Sequence, residues 1–137
     1  MAAMTPEQHD AFLHEARIAT LITLYDGGAP AAVPVWFEWD GGRARVFTGR
    51  TSEKVRRLQA DSRVALCVAA PAGVPEAWVT IEGAAAVLDG GWALAQRLAP
   101  RYYNAERAAK ALAEWGAKPE QWVVIEIVPR RIRSLAP

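Results

Sequence analysis

The chain has 137 residues (14.9 kDa), a formal net charge of +1, and 52% hydrophobic against 23% charged residues. This predicts one globular domain that can bury a core yet gains from a partner surface, and it excludes a disordered chain. No run reaches the ~18 apolar residues of a membrane span, the near-neutral charge lacks the broad basic stripe of a nucleic-acid binder, and a single cysteine, Cys67, excludes an internal disulfide and fits a cytoplasmic protein.

The first residues, Met1-Ala2-Ala3-Met4-Thr5-Pro6-Glu7, have neither the basic start nor the apolar core of a secretory signal. Thr5-Pro6-Glu7-Gln8 reads as a helix start: Thr5 caps, Pro6 sits where its missing N–H costs nothing, and Gln8 completes a capping box. The helix is expected to run to about Ala16. Ile18 to Tyr25 alternates and is rich in β-branched residues, so it reads as a strand. Asp26-Gly27-Gly28 turns the chain, Ala32 to Trp39 is a second strand, Asp40-Gly41-Gly42 a hairpin turn, and Arg43 to Thr48 a third strand.

A short helix follows over Ser52 to Ala60, with Ser52 as its cap. Arg63 to Ala70 and Ala77 to Leu88 are strands. Trp92 to Trp115 is alanine-rich and helical, broken at Pro100, with Asn104 capping a second segment; Gly116 and Pro119 end it. Gln121 to Val128 is the last clear strand, followed by a basic tail, Pro129 to Leu135, with room for a short edge strand. Six strands at hairpin spacing with few helices predict a mainly β fold, an antiparallel barrel with peripheral helices. The sequence shows no internal repeat or linker, so residues 1–137 read as one domain.

The segment Val46 to Leu58 carries the strongest functional signal. Here a strand runs through Thr48-Gly49-Arg50-Thr51-Ser52 into a helix start. Arg50, Lys54, Arg56 and Arg57 against Glu53 leave +3 where the whole chain has +1. Free N–H groups, the dipole of a helix N-terminus, hydroxyls and cations together suit a phosphate. Lys54 and Arg57, three apart, share a helix face, while Val55 and Leu58 share another and pack inward. The plainer reading of such a charge run is a solvated face. The glycine and lysine spacing is not that of a Walker loop.

Pro34 interrupts an otherwise good strand, Val33-Pro34-Val35-Trp36-Phe37. Proline cannot donate to a ladder, so it marks an edge, either an ordinary one or one whose open backbone faces a flat ligand. Of six tryptophans, Trp36 and Trp78 are candidates for a place near a cofactor, with core packing as the alternative for each. His9 and His14 lie five apart in the first helix, which is not the spacing of a shared metal face. With one cysteine and no carboxylate pair, zinc chemistry and a Ser–His–Asp triad are not expected. The chain offers a cradle and almost no acid–base machinery, a combination that assigns the chemistry to a cofactor.

From Arg17 to Leu135 the sequence resembles the pyridoxamine 5′-phosphate oxidase-like split β-barrel flavin and deazaflavin oxidoreductases. The pieces that carry the likeness are Ile18-Ala19-Thr20-Leu21, Gly28-Ala29-Pro30, Val33-Pro34-Val35-Trp36-Phe37, Asp40-Gly41, Thr48-Gly49-Arg50, Lys54-Val55-Arg56-Arg57-Leu58, Arg63-Val64-Ala65-Leu66-Cys67-Val68 and Val79-Thr80-Ile81-Glu82-Gly83-Ala84-Ala85. The resemblance implies a six-stranded split barrel and a homodimer with two cofactor sites at the subunit interface. It implies a ring system along Val33 to Trp36 and a phosphate held by Thr48, Gly49, Arg50, Thr51, Ser52 and Lys54. Trp78 and the Tyr102-Tyr103 region are expected to close the site from the second subunit.

Two departures bear on activity. The Arg-x-Val-Leu-Leu-Lys type phosphate motif of the true pyridoxamine phosphate oxidases is not visible, and their C-terminal substrate-binding segment is not found before Pro137, so vitamin B6 oxidation is not expected. The pattern is similar to small actinobacterial-type members, many of which use the deazaflavin F420, whose acidic tail Arg50, Arg56 and Arg57 could meet. The implied function is hydride transfer between FMN or F420 and a small organic substrate. A non-catalytic flavin or haem carrier and a dimeric structural protein that has lost its site are the alternatives.

Overall fold

A computed structural model describes residues 2–137. The capping box forms as the sequence predicts. The Thr5 hydroxyl accepts from the Gln8 N–H, and the Thr5 N–H donates to Gln8 Oε1 at 2.8 Å. Helix α1 (Pro6–His14) ends two residues before Ala16 and buries Phe12 and Leu13. It is tied to the sheet where Trp39 Nε1 donates to Asp10 Oδ1 at 2.8 Å.

Seven strands form, all pairing antiparallel: β1 (Ala19–Leu24), β2 (Pro30–Val35), β3 (Glu38–Asp40), β4 (Arg43–Gly49), β5 (Arg63–Ala69), β6 (Trp78–Leu88) and β7 (Trp122–Leu135). Their order in the single sheet is β2-β1-β5-β6-β7-β4-β3. Two expectations are corrected here. The strand expected over Ala32 to Trp39 divides, because its first part pairs with β1 and its second with β4, at opposite ends of the sheet. Trp36 and Phe37 span the gap, so the two edge strands of one sheet are joined by two residues and the sheet curls into a split barrel. The basic tail is no separate edge strand. It continues β7, which thereby reaches 14 residues, and pairs with β6, where Arg133 donates to Glu82 at 2.9 Å.

Local chemistry explains where the prolines fall. Pro34 lies in β2, an edge strand, opposite Thr20. Pro129 interrupts β7 only after Ile127, the last residue paired with β4, so that side of the strand needs no donor. A bulge there leaves Arg130 unopposed between Glu82↔Arg131 and Gly83↔Pro129. Gly83 is obligatory at this corner, since a Cβ would overlap the Val128 carbonyl oxygen.

Helix α2 (Glu53–Ala60) is capped by Ser52 and buries Val55 and Leu58. Helix α3 (Gly91–Tyr102) is not broken at Pro100; the proline sits in its last turn, where it removes one hydrogen bond, and the helix ends at Tyr102, with an extended Tyr103 after it. Asn104 then caps α4 (Ala105–Trp115), its Oδ1 accepting from the Arg107 N–H at 2.9 Å. Leu13, Leu21, Phe37, Leu66, Ile81, Ile125 and Ile127 are fully buried inside the curl. A smaller cluster, Leu94, Leu98 and Val124 with Trp36, Phe47 and Tyr102 against it, seats α3 on the outer side.

Candidate cofactor site

The split in the barrel has two open strand edges. β3 covers β4 only as far as Arg45, so Val46 to Gly49 have β7 on one side and no strand on the other. β2 likewise has β1 on one side only. Between these edges lies a cleft of about 420 Å³. Pro34, Val35 and Trp36 line it from one edge and Val46, Phe47 and Thr48 from the other. Ile18, Lys54, Tyr103 and Trp115 complete the wall. Open edges present backbone N–H and C=O groups that a ladder would otherwise consume.

One wall is aromatic. The Trp36 and Tyr102 rings stack at 4.8 Å and 1°, and Tyr103 meets Trp36 edge-on at 4.7 Å. Phe47, Trp115 and Trp122 continue the cluster at 5.7–5.9 Å. The Tyr102 hydroxyl donates to the Arg17 carbonyl at 2.7 Å and accepts from the Phe37 N–H at 3.3 Å, satisfying in Phe37 a backbone group that the two-residue crossing takes out of the ladder. The anchored Tyr102 ring, stacked on Trp36, thereby fixes one face of the indole.

The opposite end of the cleft carries charge. Thr48 is buried; its hydroxyl donates to Ser52 Oγ at 3.3 Å, and Ser52 Oγ accepts from the Val55 N–H. The first-turn N–H groups of a helix have no intrahelical partner, and Ser52 satisfies only that of Val55. Lys54 is half-buried. Burial, then the charge of Arg57, hold its pKa below the ordinary 10.5 of lysine.

Four cations equal in the sequence prove unequal in space. Arg50 pairs with Asp89 at 3.0 Å and donates to the Glu120 carbonyl at 2.9 Å. Arg56 pairs with Glu53 at 2.8 Å. Arg57 donates to the Thr23 hydroxyl at 2.9 Å and lies over the Tyr25 ring at 5.0 Å. Among the described residues, Lys54 has no carboxylate within 4.0 Å.

The structure thus brings together Pro34, Val35, Trp36, Thr48 and Lys54 of the expected site. Val33 packs against the core. Gly49, Arg50, Thr51 and Ser52 form the turn behind Thr48, with the Ser52 N–H on the Gly49 carbonyl at 3.0 Å and the Arg50 N–H on the Gln121 carbonyl at 2.7 Å. Trp78 opens β6 opposite Ala69 and Leu135 and does not line the cleft. Tyr103, expected from a second subunit, lines the cleft of its own chain, and its neighbour Tyr102 backs that wall. Sequence reasoning missed Phe47 and Trp115. Phe47 was open to detection, because alternation with Val46 and Thr48 puts it on the outer face of β4. The cleft's ionisable side chains are Lys54 and Tyr103, with no carboxylate, histidine or thiol. This set can bind and orient a flat anion; it has little for acid–base chemistry.

The family model described as pyridoxamine 5′-phosphate oxidase matches residues 5–135. The chain belongs to the pyridoxamine 5′-phosphate oxidase family. The split barrel agrees with solved structures in the same terms. An F420 reductase superposes with a TM-score of 0.76 at 23% identity, covering 93% of this chain and 98% of that one. A conserved hypothetical protein from Mycobacterium tuberculosis gives 0.75 at 24%, covering 96% and 84%. An FAD-binding protein from Mesorhizobium loti gives 0.67 at 16%, covering 97% and 93%. At these identities the likeness is one of fold. No curated protein matches the chain. Among the described residues, no helix is long and apolar enough to cross a membrane.

Proposed function

We propose that this member of the family is an oxidoreductase that moves hydride between FMN or F420 and a small organic substrate, with the cofactor in the β2–β4 cleft. The observation that carries this reading is the alignment of parts within one cleft: two open strand edges, an aromatic wall and an unmatched lysine at a helix start. The residues fit the group. The cleft falls in the size range of small-molecule sites, its walls suit a planar ring, and Lys54 and Thr48 suit a phosphate.

The bound flavin or deazaflavin supplies the hydride chemistry. The chain's own work is positional. The backbone of Pro34 to Trp36 would hold the ring, Trp36 and Phe47 would exclude water from it, and Lys54 would donate charge-assisted hydrogen bonds to the phosphate. We place the site at a homodimer interface; in support, Ile18 at the cleft rim is 56% exposed, an apolar surface that a second subunit would cover. The absence of a carboxylate or histidine in the cleft also suits a carrier that holds a cofactor without turning it over, and steady-state assay with reductant–acceptor pairs separates the two.

The deciding experiment titrates the purified protein with FMN and with F420 by fluorescence, at low and high salt. Micromolar or tighter binding of one of them is expected, and Lys54→Ala weakens it by about 1.5–3 kcal/mol, tenfold or more in Kd. An unchanged Kd in that variant removes Lys54 from the phosphate grip. Failure of both cofactors to bind the parent protein overturns the reading.

A further inference from the structure

A second hollow, of about 330 Å³, adjoins the cleft and shares two of its wall residues, Tyr103 and Trp115. Its remaining lining, Arg107, Lys110, Ala111 and Glu114, comes from one face of α4 at the i, i+3, i+4 and i+7 spacing. Two cations, Arg107 and Lys110, line it. Most of the arginines on the sheet and on α2 and α3 are matched within the chain, as Arg43, Arg45, Arg97 and Arg133 show. Among the described residues, neither Arg107 nor Lys110 has a carboxylate within 4.0 Å, although Glu114 borders the same hollow. Arg107 is also held in place: its guanidinium carbon lies over the Tyr103 ring, 3.9 Å from the centroid. Tyr103 in turn packs edge-on against Trp36, inside the cleft.

Resting on the reading of the cleft as a cofactor site, we propose that this annex receives a carboxylate carried by the molecule in the cleft, with Arg107 and Lys110 as specificity-determining residues. The annex opens from the aromatic wall, where Tyr103 and Trp115 stand, and Lys54 lines the cleft but not the annex. The class of substrate is then an organic acid whose flat apolar part lies along Trp36 and Tyr103 and whose carboxylate reaches Arg107. The same chemistry is met by the acidic tail of F420, and the test separates the two sources.

Both arms use the purified parent protein and the Arg107→Gln/Lys110→Gln double variant, whose changed residues are exposed and keep their helical hydrogen bonds. In the first arm, quenching of tryptophan fluorescence measures naphthoate against its neutral counterpart, naphthamide. In the second, the ratio of F420 to FMN affinity is measured. A substrate carboxylate predicts that the parent prefers naphthoate by about tenfold and that the double variant loses this preference, with the F420-to-FMN ratio unmoved. A cofactor carboxylate predicts that F420 alone weakens by about tenfold in the variant. If neither ratio moves, the annex proposal is overturned. If neither cofactor binds the parent, the cofactor reading falls instead, and the naphthoate arm on the same protein still decides the annex.

Discussion

Lys54 shows what a single side chain gains from its surroundings. In its own segment it is one of four cations, and only the fold reveals that the arginines beside it are spoken for by Asp89, Glu120, Glu53 and Thr23. Those partners, Glu53 excepted, lie dozens of residues away in sequence, which is why spacing alone treated the four alike. Burial and Arg57 lower the Lys54 pKa, so its ammonium is lost below 10.5 when the site is empty. Cofactor affinity is therefore expected to decline on the alkaline side earlier than an ordinary lysine would allow, and to be flat with pH there in Lys54→Ala. For stability the sign is opposite. Between the lowered folded pKa and the unfolded value the unfolded chain binds more protons, so this residue makes folding more favourable as pH rises through that window. A Kd series in FMN or F420 across that range, with and without Lys54, checks the first statement.

At the scale of elements, the strands and helices were legible from alternation, caps and turn glycines, and their limits were mostly set by neighbours. The division of β2 from β3 had no strong local signal, because Trp36 and Phe37 are as strand-like as what flanks them; the change of partner strand decides it. Pro100 shows a local signal acting late: it forgoes its own helical hydrogen bond, and α3 ends two residues on, at Tyr102. The α3 start is governed by contact. Gly91 lies so close to the backbone of Trp122 and Val123 that a Cβ overlaps both. Gly91→Ala is expected to push α3 off β7 and lower stability by about 1–3 kcal/mol, several degrees in Tm. Since α3 carries Tyr102 and leads into Tyr103, cofactor affinity falls with it. Thermal melts with and without cofactor measure both effects, and an unchanged Tm means that the helix can shift freely.

For the whole molecule, the half-exposed face of β1, β5 and β6 sets small or apolar side chains beside one another, Ile22 beside Ala65 and Thr20 beside Cys67 and Thr80, bordered by Glu82, which Arg133 pairs. Together with exposed Ile18, this supports the proposed homodimer. Sedimentation is expected to give twice the 14.9 kDa chain mass. Ile22→Glu, which sets a carboxylate on that face while leaving the inward row untouched, is expected to yield monomer and to weaken cofactor binding in the same step. A monomeric parent protein with full affinity would show instead that one chain completes its own site.

The two-residue crossing at Trp36-Phe37 has a consequence for motion. Because the cleft is bounded by the opposite ends of a single sheet, no hydrogen-bonded ladder locks those ends to each other, and the barrel can breathe at this seam without breaking any strand pair. A ligand that bonds to both edges takes the place of the absent stave. Its binding then protects the amides of Val33, Val35 and Trp36 and those of Val46 to Thr48 from exchange together, although four strands of the sheet lie between β2 and β4. At a hundredfold excess over Kd it would hold the seam shut by about 2.7 kcal/mol.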